Sequence, residues 1–277
     1  MRDDEDDDRP APALEGLAAD EWELPAESRA VLVEGLASGD REVQLDALEM
    51  LVHSLDDGLA MQALEIARGE GDETVRVAAA RALGPGLGAL MAAGDDGPAP
   101  ISATTAAALG QGLRALYFDS AAPKAVRRAA LAAATHAPDA WQEGAVRAAW
   151  ASGDSEWRST AVDCMARLSG FCAELGEALR EREPQVRLAA ARAAGDAGCA
   201  DAAPRLLTLA RAADEEALVR MAAMESLGLL GDREAVGPLR ELATSADPEL
   251  AFAARSALAR IAGGESAGEL VDDDFAG

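Results

Sequence analysis

Rings, lysines and histidines are scarce in this chain of 277 residues: aromatics make up 3%, lysine occurs once, at Lys124, and histidine twice. So few rings leave little bulk for one large central core, and many thin layers of helix on helix suit the chain better. Positive charge is short as well: 25 Lys and Arg face 50 Asp and Glu, a formal net charge of -25. The imbalance runs along the chain, at −10 for residues 1–40, −12 for 41–270 and a further −3 from Asp272 to Asp274. Such a body repels phosphate backbones, and no basic stripe offsets it, so a nucleic-acid partner is not expected. The amino-terminal MRDDEDDDRP lacks the apolar region of a signal peptide. No apolar run reaches the roughly eighteen residues of a membrane helix, so no membrane partner is expected and a cytoplasmic location is. Three cysteines without CxxC spacing do not read as a disulfide framework.

Alanine supplies about a quarter of the residues, far above ordinary usage. It is the best helix former, and its small side chain lets helices approach closely. Its placement is regular. GDREVQLDALEML (39–51), GDETVRVAAARAL (71–83), APKAVRRAALAAA (122–134), GDSEWRSTAVDCM (153–165), REPQVRLAAARAA (182–194), EEALVRMAAMESL (215–227) and DPELAFAARSAL (247–258) share one pattern. A large anchor opens each: Val43, Val75, Val126, Trp157, Val186, Val219 and Leu250. Four residues on stands an alanine every time, from Ala47 and Ala79 to Ala223 and Ala254. Four further comes another apolar or small residue, such as Leu51, Leu83 or Met165. Spacing of i, i+4 and i+8 marks one helix face.

Asp40, Asp72, Asp154 and Asp247 stand where a side-chain oxygen can cap a helix start. Pro184 and Pro248 fit a first helical turn. A break and a second apolar stretch follow each unit, as in GLAMQALEIARG (58–69) and DAAPRLLTLARA (201–212), so each unit is predicted to be a helical hairpin of about thirty residues. The long interval from Val75 to Val126 holds GDDGPAP (94–100), read as a loop of about 91–102 inserted in the second repeat. ESRAVLVEGLAS (27–38) reads as a lone second helix covering the first repeat. The predicted organisation is a disordered acidic tail over 1–13, about seven repeats within 14–263, and a flexible acidic tail over 264–277.

This register resembles the HEAT-repeat superfamily, especially short bacterial and archaeal repeats of the phycocyanobilin-lyase-like kind. The pattern that carries it is most complete at Asp72, Val75, Arg76, Ala79 and Leu83. The resemblance covers roughly 40–260 and implies an all-α fold, a right-handed α-α superhelix of stacked hairpins. It also implies that the Arg after the anchor, at Arg76, Arg127, Arg158, Arg187 and Arg220, belongs to an Asp/Arg ladder between repeats. On function it spans scaffolds, adaptors, lyase subunits and a few enzymes.

The chain offers little for catalysis. His53 and His136 each lie ten residues after an anchor, two repeats apart. That places the rings on the order of 20 Å from each other, too far to share a metal ion. HEAT-type hydroxylases carry His-Glu pairs, whereas here Ser54 and Ala137 follow the histidines. Cys172 and Cys199 open second helices of consecutive repeats, with Cα atoms expected to lie beyond disulfide reach. With Cys164 they make a poor zinc site and read as small buried hydrophobes. GPGLG (84–88) follows a helix rather than a strand and reads as a linker, not a phosphate loop. No enzyme, cofactor or metal is expected.

One asymmetry remains. Six of nine aromatics fall between 117 and 171. Trp157 and Trp150 stand at core positions of the pattern, but Trp141 has no apolar counterpart in other repeats. Trp141, Tyr117, Phe118 and the loop residues Asp95 and Asp96 are therefore the candidate partner contacts. The expected function is a non-catalytic scaffold or adaptor for a protein partner with a basic segment. The alternative, implied by the resemblance, is an accessory subunit of a chromophore or cofactor lyase. A glycosylase of HEAT-like fold is opposed by the charge.

Overall fold

The structure, a computed structural model, describes residues 24–52, 54–94, 97 and 99–263. The described residues form no strands. Their helices are α1 (Ala26–Leu36), α2 (Arg41–Leu51), α3 (Asp57–Arg68), α4 (Glu73–Ala93), α5 (Ala103–Phe118), α6 (Lys124–Ala134) and α7 (Ala140–Ala151). Then follow α8 (Ser155–Met165), α9 (Cys172–Ala178), α10 (Pro184–Asp196), α11 (Ala203–Arg211), α12 (Ala217–Leu229), α13 (Val236–Leu242) and α14 (Pro248–Gly263). Even-numbered helices are the first helices of the repeats and odd-numbered ones the second. The chain divides into two compact units, Met1–Leu109 and Gly110–Gly277, with the boundary inside α5. Each unit is all-α, built of stacked helical hairpins. The predicted tails and His53 lie outside the described residues.

Local chemistry starts the helices where the sequence places them. Asp40 accepts from the N–H groups of Glu42 (2.8 Å) and Val43 (3.3 Å), and Asp72 from those of Thr74 (2.9 Å) and Val75 (3.2 Å). Asp154 and Asp247 repeat the arrangement at α8 and α14. Each such cap contributes about 1 kcal/mol by occupying donors that have no partner within the helix. Pro184 and Pro248 are the first residues of α10 and α14, where a missing N–H costs nothing.

The alanine row is the floor of the packing. Ala47, Ala79, Ala130, Ala161, Ala190, Ala223 and Ala254 are all buried, as a small residue must be where helices close to contact. Ala190→Leu is expected to cost about 1–3 kcal/mol through overpacking. Urea denaturation checks this, and an unchanged midpoint would mean that the alanine face is not a contact face.

The once-per-repeat arginines do join repeats, but their partners are mostly backbone carbonyls rather than aspartates. Nε of Arg76, Arg127 and Arg220 donates to the carbonyls of Ala67 (3.1 Å), Tyr117 (2.9 Å) and Ala210 (3.1 Å), at the end of the preceding second helix. Those carbonyls have no acceptor role within their helix and carry its negative dipole end, so a guanidinium suits them. Arg158 pairs with Glu181. The capping aspartates pair instead with the first residue of the previous first helix: Arg41 with Asp72 at 3.2 Å and Lys124 with Asp154 at 3.0 Å.

Three expectations are corrected. GPGLG is not a linker but lies inside α4, with Gly84 and Gly86 buried. A Cβ on Gly86 would sit 2.2 Å from Leu55 Cδ2, so glycine here leaves room for the Leu55 side chain, from the α2–α3 connection, against α4. Cys172 and Cys199 form a disulfide, their Cα atoms 5.3 Å apart. They sit at the starts of second-helix segments, where connecting turns approach more closely than the roughly 8–10 Å between helix axes. Val43 is not a buried anchor but 46% exposed, because no described helix precedes α2 as a first-helix neighbour.

Candidate partner-contact surface

The three aromatic candidates converge within the second unit. Tyr117 and Phe118 are the last residues of α5, and Trp141 is the second residue of α7. Tyr117 is the hub: its ring centroid lies 4.8 Å from Phe118, 5.4 Å from Trp141 and 6.0 Å from Trp157. Phe118 and Trp141 are 5.7 Å apart. Edge and tilted contacts at these distances favour the ring quadrupoles and add to the area buried. The cluster grades from inside to outside. Tyr117 is buried, Trp141 and Trp157 are half-buried, and Phe118 is 59% exposed.

Polar contacts hold the cluster in place. Arg127, in the first turn of α6, donates to the Tyr117 carbonyl while its guanidinium lies 5.9 Å from the Tyr117 ring and 5.7 Å from that of Trp157. One side chain thus caps α5 and stacks on two rings. Burial raises the Tyr117 phenol above its ordinary value, so it stays neutral. Gln142, next to Trp141 and itself buried, donates from Nε2 to the carbonyls of Ala134 (2.8 Å) and Ala137 (3.1 Å). That bond fixes the start of α7 on the end of α6, while Asp139 accepts from the Ala140 N–H at 2.7 Å. The ring of Trp141 therefore stands on a tied-down helix start.

Beside it, Pro138, Asp139, Glu143, Arg167 and Leu168 line an open cleft of about 450 Å³. Asp119, Asp139 and Glu143 are exposed at the helix ends that carry the rings. His136 is half-buried near the end of α6, and its pKa is pushed down to about 4 by burial and then by the Arg167 charge. It is a neutral packing group at neutral pH. Asp95 and Asp96 lie outside the described residues. Sequence reasoning missed Arg127 as part of this surface. Its position one residue after an anchor was the available signal, but that signal spoke only of the ladder.

The HEAT repeats family description matches residues 172–265. Residues 172–265 are therefore HEAT repeats, and the helical hairpins that precede them share their register. Comparison with curated protein sequences gives no match. Among solved structures, the chain is similar to the complex of CpcE and CpcF of phycocyanin lyase from Nostoc sp. PCC7120, with a TM-score of 0.53 and 18% identity over 94% of this chain and 93% of that chain. It is also similar to the Escherichia coli protein YibA, with a TM-score of 0.52 and 14% identity over 86% of this chain and 81% of that chain. An engineered protein matches with a TM-score of 0.50 and 21% identity over 88% and 72%. These likenesses concern the fold.

Proposed function

We propose that this chain is a non-catalytic HEAT-repeat scaffold that holds a protein partner through the surface made by Phe118 and Trp141. The observation that carries the reading is a large ring left open to solvent on top of a cluster that is otherwise anchored and packed. Packing alone leaves the 59% exposure of Phe118 unexplained, whereas aromatic residues on a rigid base suit an interface centre. The exposed carboxylates at Asp119, Asp139 and Glu143, together with the net charge of -25, favour a partner with a basic segment. Repeat arrays present such surfaces without needing a catalytic group.

Phe118→Ala is expected to keep the helical content and to cost at most about 1 kcal/mol of stability through its lost ring contacts, while partner affinity falls by on the order of 2 kcal/mol. Trp141→Ala should lose affinity likewise, with a small loss of stability because that ring is half-buried. The measurement is capture from the native host at low and moderate salt, followed by titration of the recovered partner. Full binding by both variants would reject the surface.

The similarity to the CpcE and CpcF complex over 94% of this chain favours the lyase-subunit reading as a second possibility. A shift in the absorbance of an added bilin on mixing with the purified protein would support it, and the unchanged spectrum of the free bilin would remove it. No helix among the described residues is long and apolar enough to cross a membrane. A cytoplasmic location, expected from the sequence, is opposed by one observation. The Cys172–Cys199 disulfide favours an oxidising setting instead, so fractionation of host cells decides the compartment.

A further inference from the structure

The first described hairpin has an open apolar face. Val31 on α1 is 63% exposed, and Val43 and Met50 on α2 are 46% and 56% exposed. With Leu32, Gly35 and Ala47 they line a groove of about 400 Å³ within the first unit. In later repeats the residue seven after the anchor, equivalent to Met50, is buried without exception: Ala82, Ala133, Cys164, Ala193, Ser226 and Ala257. The contacts show what buries it. Ser226 Oγ donates to the Ala191 carbonyl on the preceding first helix at 2.7 Å. Ala257 likewise lies against Gly228 of the preceding first helix, where an added Cβ would come within 3.2 Å of the Ala257 Cβ. Met50 faces the same way, and no first helix precedes it among the described residues.

The chain just before α1 carries the missing signature. Leu14, Ala18 and Trp22 reproduce the anchor, the alanine four residues on and the apolar residue four further. Leu14 precedes Val43 by 29 residues, the same interval that separates Trp157 from Val186. Pro12 stands two residues before Leu14, as Pro184 and Pro248 stand two before Val186 and Leu250. At the position equivalent to Met50 this segment has Glu21, a charge where all six later repeats have a buried small residue. We propose that the segment Pro12–Glu23 docks in the groove of Val31, Val43 and Met50 and completes an additional, amino-terminal repeat. Its attachment directly before α1 keeps its effective concentration at the groove high.

Methionine oxidation tests this, because Met91 is as exposed as Met50 and serves as an internal reference at 56%. Peroxide treatment with peptide mass spectrometry is applied to the full chain, to chains lacking residues 1–11 or 1–23, and to full-length L14D/W22D. In the full chain and the shorter truncation, Met50 should oxidise several-fold more slowly than Met91. In the longer truncation and the double variant the two rates should converge, with a lower melting temperature than the shorter truncation shows. Equal rates for Met50 and Met91 in the full chain would overturn the proposal. So would protection of Met50 in the double variant, or protection that grows with protein concentration, which would put a second copy in the groove.

Discussion

Gly195→Leu is expected to destabilise the second unit by about 3 kcal/mol, the upper end of what overpacking a tight core costs. A Cβ at Gly195 in α10 would lie 2.6 Å from Ser226 Oγ, 2.8 Å from its Cβ and 2.9 Å from its Cα. The nearest obstacles thus include the backbone of α12, which cannot swing aside as a flexible side chain can. Two effects compete in the milder Gly195→Ala change. Removing glycine from a helix interior favours folding by about 1 kcal/mol. Displacing Ser226 also weakens its bond to Ala191, worth about 1 kcal/mol, on top of the steric cost. The sum is a net loss even for alanine. Pairing Gly195→Ala with Ser226→Gly should recover only the part due to the Ser226 side chain, since the backbone contact at 2.9 Å remains and neighbours sharing one contact do not add. Urea denaturation of the two single variants and the double variant reads the result. A stabilising Gly195→Ala would mean that α10 and α12 stand farther apart than described.

Arg187→Ala is expected to cost a comparable amount, about 3 kcal/mol at neutral pH, because it strands a carboxylate. Arg187 binds Glu215 in a fork, Nε to Oε2 at 2.7 Å and Nη2 to Oε1 at 2.6 Å. Its Nη1 also donates to the carbonyls of Glu181 and Arg182, each at 2.7 Å. The side chains are only 14% and 8% exposed, unlike Arg41 and Asp72 at 52% and 47%, whose pairing water and salt largely screen. Without Arg187, Glu215 keeps the hydrogen bond donated by the Glu216 N–H at 2.9 Å. The sign of the pH dependence follows. The Arg187 hydrogen bonds, opposed by desolvation, hold the Glu215 pKa below its ordinary 4.5. This stabilisation is present in full above that ordinary value and is lost as pH falls through the lower folded-state value. The gap between wild type and Arg187→Ala should therefore be large at pH 7 and shrink in strong acid. Arg187→Ala/Glu215→Ala should be less damaging than the first change alone. A gap that is constant with pH would assign the loss to the two carbonyl bonds rather than to the ion pair.

Much of the fold is legible in the residues because its signals are local. An anchor, an alanine four residues on and an apolar residue four further define one helix face within nine residues, as Val43, Ala47 and Leu51 do. A capping aspartate lies at most three residues from the N–H groups it serves, as Asp40 and Asp72 do. The candidate surface was legible only in part. The concentration of rings pointed to Tyr117, Phe118 and Trp141, but their convergence joins the end of α5 to the start of α7, and no periodicity within either helix encodes it.

By itself, the sequence determined that this chain is a helical-repeat array, where its hairpins begin, and that small residues would lie at their contacts. Only the tertiary structure decided that Cys172 and Cys199 meet, that GPGLG continues a helix, and that Met50 faces outward while its six equivalents are buried. The physical reason is common to all three. Helix formation depends on neighbours within a turn or two, whereas these features depend on how closely separate elements stack, and that distance follows from side chains contributed by both partners.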